Sequence, residues 1–270
     1  MINQANIIST QPSLFRSLEI QARVIGALLM REVLTRYGRH NIGFVWLFLE
    51  PMTFTIGVTG LWLASKGSHP SLPIIPFAIT GYSTVLMWRN AAGRCAKAIE
   101  PNLSLLYHRN VKVIDLFAAR LLLEIAGGTI SFVVLSLFCL WCGWMKMPAD
   151  LLTMVAAWML LVWFAIALGL FVGALTERSE AFERAWHVVT YLMFPLSGAL
   201  FMVDWLPKPY QEIVLWIPMV NGVEMLRAGY YGQIVRTHYS ASYLMIVNLV
   251  LLFVGLLLVM QTKDLVSAND

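Results

Sequence analysis

Six stretches of this chain, residues 42–64, 74–92, 113–145, 151–175, 185–203 and 241–261, are apolar over about the length a helix needs to cross a bilayer. At 1.5 Å of rise per residue, a hydrocarbon core of roughly 30 Å takes about 20 residues, and only the second and fifth runs lie near that minimum. Composition points the same way: 59% of the 270 residues are hydrophobic and 13% are charged, where soluble domains are roughly a quarter charged. The expected fold is an all-α membrane protein with six transmembrane helices. Residues 1–41 precede the first span, 42–261 form the membrane domain and 262–270 a short tail. The opening "MINQANIISTQPS" is polar, without a charged n-region or a small-residue cleavage site, so no secretory signal is expected and the first span is expected to direct insertion.

Cations divide unevenly between the two sides of such a fold. Arg16, Arg23, Arg31, Arg36 and Arg39 precede the first span, Arg89, Arg94, Lys97, Arg109 and Lys112 follow the second, and Arg178, Arg184 and Lys263 fall on the same side. Opposite them stand Lys66, Lys146, Lys208, Arg227 and Arg236. The positive-inside rule then assigns both termini to the cytoplasm. The formal charge of +4 therefore reflects topology, and with no aromatic-studded basic domain the chain is not expected to bind nucleic acid.

Recognisable catalytic sets are missing. No G-x-x-x-x-G-K-[ST] is present to cradle nucleotide phosphates, so ATP hydrolysis by this chain alone is not expected. His40, His69, His108, His187 and His238 are scattered, without H-E-x-x-H or G-x-S-x-G. Cys139 and Cys142 form a C-x-x-C inside the apolar "LFCLWCGW", with no His or carboxylate close by, which suits packing or lipid-facing thiols better than a metal or redox pair. An intramembrane transferase would need acids near a face; Asp204, Glu212 and Glu224 are candidates but read as ordinary solvated residues.

Residues 14–37 read as an amphipathic helix on the membrane surface, with Leu14, Leu18, Ile25, Leu29 and Val33 on one face and Arg16, Glu19 and Arg23 on the other. On the first span, Gly43, Trp46, Glu50, Thr53 and Gly57 share a face opposite Phe48, Met52, Ile56 and Thr59. The first face is expected to meet protein or water. Glu50 lies eight residues past Ile42, roughly 12 Å along the helix, where a charge costs about 2.5 to 3.5 kcal/mol on insertion scales. Two readings stay open for it: an ion pair with Arg120 or Arg89 that locks the bundle, or a place in the wall of a pathway. The "ITGYST" of the second span likewise suits either close helix packing or a wet wall, and Trp88 and Arg89 mark its boundary. Arg120 and Glu124 stand at i,i+4 in the third span and are expected to neutralise one another or Glu50. Gly169 and Gly173 form a small-residue dimerisation hint in the fourth.

Two connections carry more apolar residues than a solvated loop needs. Residues 94–115 are charged and broken by Pro101, yet include Leu103, Leu105, Leu106 and Tyr107, which suggests a short exposed helix for docking a cytoplasmic partner, capped by Asn102 or Ser104. Residues 204–240 are too apolar for water and too interrupted, by Pro207, Pro209 and Pro218, to span; two short helices dipping back into the outer leaflet fit them.

Met30-Arg31-Glu32, Thr35-Arg36-Tyr37-Gly38, Gly43-Phe44-Val45-Trp46 and Glu50-Pro51 form a block that resembles the N-terminal pattern of type 2 ABC exporter permeases, especially the inner-membrane subunits of capsular polysaccharide exporters. The likeness continues through Thr80-Gly81-Tyr82, Trp88-Arg89, Asn102-Leu103, Arg109-Asn110-Val111, Asp115, Ala119-Arg120 and Glu124, although Asn221-Gly222 stands where relatives commonly have Asn-Pro. The resemblance implies a homodimer in a bacterial inner membrane, bound to two copies of a separate ATPase that carries ATP and Mg, with no cofactor on this chain. It also implies a lipid-linked polysaccharide as cargo, a periplasmic adaptor or co-polymerase, and an outer-membrane conduit. O-antigen, teichoic acid or a lipid is the alternative cargo, and a membrane-embedded glycosyl- or acyltransferase the alternative class. On this reading Trp46, Glu50, Tyr82, Trp88 and Arg89 are candidates for the translocation pathway. Arg31, Arg36 and Arg94 would draw an anionic cargo to the entrance or anchor the protein to acidic lipid. Glu100, Pro101, Asn102 and Leu103 would couple to the ATPase, and Trp205, Trp216 and Tyr230 would gate the exit.

Overall fold

The computed structural model describes residues 14–37, 42–64, 72–106 and 111–268. Arg39, Lys66, Tyr107 and Arg109, which entered the sequence reading, lie outside the described residues, as does the side chain of Lys263. All regular structure among the described residues is helical: α1 (Leu14–Tyr37), α2 (Ile42–Ala64), α3 (Ile74–Cys95), α4 (Leu103–Leu106), α5 (Val113–Trp141), α6 (Leu151–Thr176), α7 (Glu180–Leu196), α8 (Lys208–Leu215), α9 (Pro218–Tyr231) and α10 (Ala241–Ala268). Three of them, α5, α6 and α10 over Ala241–Thr262, are each long and apolar enough by composition to cross a membrane. The fold is that of an all-helical membrane protein.

Helix boundaries depart from the apolar runs where local chemistry ends a helix early. The third run was expected to continue to residue 145, but α5 stops at Trp141 and the chain turns through Gly143, whose φ of +75° suits glycine. The fifth run was expected to reach 203, but α7 ends at Leu196, after Pro195, and Gly198 takes a φ of +83°. Polar starts are satisfied locally: Asp150 accepts from the Thr153 N–H at 3.1 Å ahead of α6, and Ser179 from the Phe182 N–H at 3.3 Å ahead of α7. At the far end α10 extends to Ala268, well into the residues read as a tail.

The centre of the bundle is α3, buried without a break from Pro76 to Trp88 and packed against α2, α5, α6 and α9. Its hydroxyls turn back onto their own helix: Thr80 Oγ1 donates to the Pro76 carbonyl at 2.8 Å and Thr84 Oγ1 to that of Gly81 at 2.6 Å. Close packing is therefore the role of the "ITGYST" segment. A methyl at Gly81 would lie 2.7 Å from the Ala199 carbonyl, so glycine there lets the chain beyond α7 approach. Gly169 and Gly173 serve the same purpose inside the chain, since added methyls would meet Leu121 at 2.6 Å and Phe117 at 2.5 Å. They join α6 to α5 and α3, which replaces their reading as a dimerisation face. Trp158 of α6 stacks on Phe132 of α5 with centroids 4.2 Å apart, and its indole N–H donates to Thr129.

The N-terminal helix is docked. Its second half packs on α5, Leu28 against Leu116 and Ala119 and Val33 against Leu123. Phe15 and Leu18, nearer its start, remain exposed. The picture of α1 lying wholly on a surface is corrected for that half, because a flanking helix offered leucines at matching spacing.

Candidate functional site

The polar stripe of α2 faces away from its own chain. Trp46 is 54% exposed and Glu50, Thr53, Gly57 and Gly60 are exposed beside it, while Thr55 and Thr59 turn inward and are buried. Among the described residues, nothing beyond the backbone of α2 and the neighbouring residues would lie within 4 Å of a methyl at Gly57 or Gly60. Glu50 has no ion pair or hydrogen bond among the described residues, and the partners considered for it are engaged elsewhere.

Along the seam of α2, α3 and α7 runs a series of aromatic contacts that sequence spacing did not reveal. Phe54, one turn past Glu50, meets Tyr82 edge-on at 6.2 Å and Phe194 at 6.5 Å; Tyr82 and Phe194 are 5.9 Å apart. Toward the α4 end of α3, the Arg89 guanidinium lies 5.3 Å from the centre of the exposed Tyr191 ring. In the other direction Trp62, Phe77 and Trp205 continue the series, with centroids 5.6 and 5.3 Å apart. Trp46, Glu50, Phe54, Arg89, Tyr191 and Phe194 thus share one side of the bundle. Tyr82 forms its floor at 2% exposure. Trp88, at 1%, is packed in the main core and does not belong to this surface.

The arginines read as an entrance are held by the chain itself. Arg36 bonds Glu32 at 3.1 Å and also pairs with Glu124, and Arg94 approaches Glu124 at 3.5 Å. Arg120 pairs with Glu32 at 3.4 Å and donates to the Arg94 carbonyl at 2.7 Å. So Arg120 and Glu124 do not neutralise one another; each reaches a charge on α1, because α1 docks over that face of α5. Three arginines and two glutamates leave the cluster at +1. Arg94 is half exposed, whereas Arg36 and Glu124 are nearly buried.

Arg31 takes a further step from α1, donating to the side-chain oxygen of Asn102. Asn102 is buried, and its amide donates to the Ala98 carbonyl at 2.8 Å, so it braces the turn before α4 instead of capping that helix. Glu100, Pro101, Leu103 and Ser104 are exposed around it. This segment is also tied to the α6–α7 corner: the Ile99 N–H donates to Glu177 at 2.7 Å, the Lys97 N–H to Thr176 at 3.3 Å, and Lys97 pairs with Glu183 at 3.2 Å. Burial pushes the Glu177 carboxyl above its usual range, partly opposed by the Ile99 N–H, and the hydrogen bond to Glu183 raises the Lys97 ammonium. The stretch from Lys97 to Asn102, which leads from α3 into α4, is therefore tied to α1 and to the α6–α7 corner at once.

At the opposite end, Trp205, Trp216 and Tyr230 are not brought together. Trp205 stacks on Phe77, Trp216 is 76% exposed beside Tyr243, and Tyr230 is buried with its hydroxyl accepting the Lys146 N–H. Two charges of this region are also corrected. Glu224 is buried and accepts the N–H groups of Val203 and His238, both at 3.1 Å. Arg227 is fully buried, donating to the carbonyls of Phe201, Gly198 and Ala199 at 2.6, 2.7 and 3.1 Å, with Phe77 beneath it at 3.9 Å. Neither is a solvated residue, and Arg227 does not count as a topological cation. Their i,i+3 spacing in an apolar segment was the available signal. Asn221 completes the set, donating to the Leu215 carbonyl at 2.8 Å and accepting the Ser240 N–H at 2.9 Å. Cys139 is buried and Cys142 half-buried, both as free thiols, and no three metal-binding side chains gather among the described residues.

Comparison with known proteins places this all-helical membrane protein among the membrane subunits of transporters. The chain is a member of the ABC-2 type transporter family, whose profile matches residues 23–231. It is 50% identical over 248 residues to the capsule polysaccharide export inner-membrane protein CtrC of Neisseria meningitidis serogroup B, covering 92% of this chain and 94% of that protein. Identity to the capsule polysaccharide export inner-membrane protein BexB of Haemophilus influenzae is 44% over 250 residues, again 92% and 94% of the two chains. With the polysialic acid transport protein KpsM of Escherichia coli it is 28% over 243 residues, 89% of this chain and 93% of that one.

Proposed function

We propose that this protein is the membrane permease of an ATP-driven exporter that moves a lipid-linked capsular polysaccharide from the cytoplasm across the bacterial inner membrane. The observation that carries this reading is the 50% identity, over nearly the whole of both chains, to a capsule polysaccharide export inner-membrane protein. The chain crosses six times, through α2, α3, α5, α6, α7 and α10, with both termini in the cytoplasm. Helices α8 and α9 dip into the outer leaflet, where irregular backbone needs internal partners; the bonds made by Arg227, Glu224 and Asn221 support that assignment.

Two copies form the exporter, with the α2 stripes turned toward a wet passage between them. A solvated passage explains why Glu50, without a partner among the described residues, is tolerated within an apolar helix. A hydrated polymer moves past aromatic faces and polar groups through many weak contacts, since release matters as much as entry; Trp46, Phe54, Tyr191 and Phe194 supply such faces, and Glu50 and Arg89 the polar groups. Two ABC ATPase subunits hold ATP and Mg and press on Glu100, Pro101, Leu103 and Ser104. The ties of that segment to Glu177, Thr176, Glu183 and Arg31 carry the displacement to α1 and to the α6–α7 corner. Arg36 acts here as a brace, Arg31 reaches Asn102 while staying exposed, and Arg31 and Arg94 are the entrance cations. A periplasmic adaptor and an outer-membrane conduit continue the route.

Deleting the gene should abolish surface polymer while polymer accumulates inside, and the purified chain should retain an ATPase whose turnover rises in its presence. Surface polymer at normal levels, or sugar transfer by the lone chain, would overturn the reading.

A further inference from the structure

An open cavity of about 500 Å³ lies between α8, the start of α9 and the start of α10, bordered by Glu212, Trp216, Asn221, His238, Tyr239 and Tyr243. We propose that this cavity is a carbohydrate subsite that holds one or two hydroxyl-rich sugar rings of polymer on the outer side of the protein.

Its walls are fixed by bonds that leave the rim groups available. The Tyr243 hydroxyl donates to the carbonyl of Trp216 at 2.7 Å and the two rings meet edge-on at 6.3 Å, so the aromatic wall is held in place while Trp216 stays exposed. Asn221 ties the end of α8 to Ser240 from below, and Glu224 holds the His238 backbone. Glu212 and Tyr239 have no partner among the described residues, and His238 bonds Asp204 through Nε2 at 3.2 Å. Aromatic faces suit the C–H surface of a pyranose, carboxylates accept bonds from neighbouring hydroxyls, and this volume is within the range of small-ligand sites.

A tryptophan that merely anchors the protein at a lipid interface needs no cavity. Glu212, one turn before Trp216, and Asp204, bonded to His238 of the rim, also repel a lipid phosphate, which favours a hydroxyl-rich ring over an anionic headgroup. The open shape favours weak and reversible contact, as a site that polymer must leave requires.

The subsite rests on the export reading, and the two fail separately. Protein in nanodiscs is tested by saturation-transfer NMR with short oligosaccharides released by partial hydrolysis of the producing cells' surface polymer. Trp216→Ala should weaken binding about three- to tenfold, and Glu212→Gln, which keeps shape and leaves the aromatic wall intact, about threefold. No transfer to the wild type, or binding unchanged in both variants, overturns the subsite. So does a periplasmic protein crosslinked through position 216 when sugars do not bind. Loss of sugar binding in a wild type that still sustains surface polymer would sink the subsite alone, whereas intact surface polymer in the deletion strain would sink export.

Discussion

Removing Glu124 tests whether α1 is locked to the bundle by charge. Arg36 and Glu124 are 12% and 8% exposed, so the pair lies where deleting one partner costs about 3–5 kcal/mol by stranding the other. Two features place the expected cost of Glu124→Leu at the lower end, about 3 kcal/mol. Arg36 keeps Glu32 at 3.1 Å, and Arg94, the second cation facing Glu124, is 47% exposed and hydrated. The single variant raises the cluster from +1 to +2, since three arginines then face one glutamate. Adding Arg36→Met returns it to +1, with Arg94, Arg120 and Glu32 remaining. The double variant should therefore be more stable than Glu124→Leu alone, with a coupling of about 1–3 kcal/mol. A double-mutant cycle on unfolding in mixed micelles, followed by tryptophan fluorescence, measures it. Additivity within about 0.5 kcal/mol would show that the two side chains do not share a buried site.

Three further outcomes follow from the geometry. Arg227→Leu leaves the carbonyls of Gly198, Ala199 and Phe201 without their donor, each at a cost of about 1–3 kcal/mol, so residues 197–206 should be cut faster by external protease; unchanged cleavage would contradict the staple. Changing Glu100 and Leu103 together to Ala and Ser should weaken ATPase association while leaving membrane insertion intact, and undiminished co-purification would defeat the docking assignment. Glu50→Leu should lower export with normal protein levels, and unaltered surface polymer would remove Glu50 from the passage.

Much of the architecture was legible from apolar runs, because helix rise and bilayer thickness make length alone informative. Legibility failed at Trp88. It lies on an apolar helix near polar residues, and spacing does not tell that α3 is buried without a break from Pro76 to Trp88. It failed again at Arg36, read as an open cation but nearly buried, since its partner Glu124 lies 88 residues away. Glu50 was legible as an anomaly, and among the described residues it makes no ion pair while Arg120 pairs with Glu32 and Arg89 lies against Tyr191. Tyr191, Phe54 and Phe194 carried no signal beyond being aromatic within apolar runs.

By itself the sequence determined the helical membrane class, the approximate runs and the polar stripe shared by Trp46, Glu50 and Gly57 of α2, because backbone in lipid must be helical where it is long and apolar and because residues at i, i+3 and i+4 share a face. Only the tertiary structure decided which helix each face meets, and with it the crossing of charges between α1 and α5, the burial of Glu224 and Arg227, and the cavity beside Trp216. Helical periodicity orients side chains about one axis, while burial and pairing depend on the placement of a second axis that no local pattern encodes.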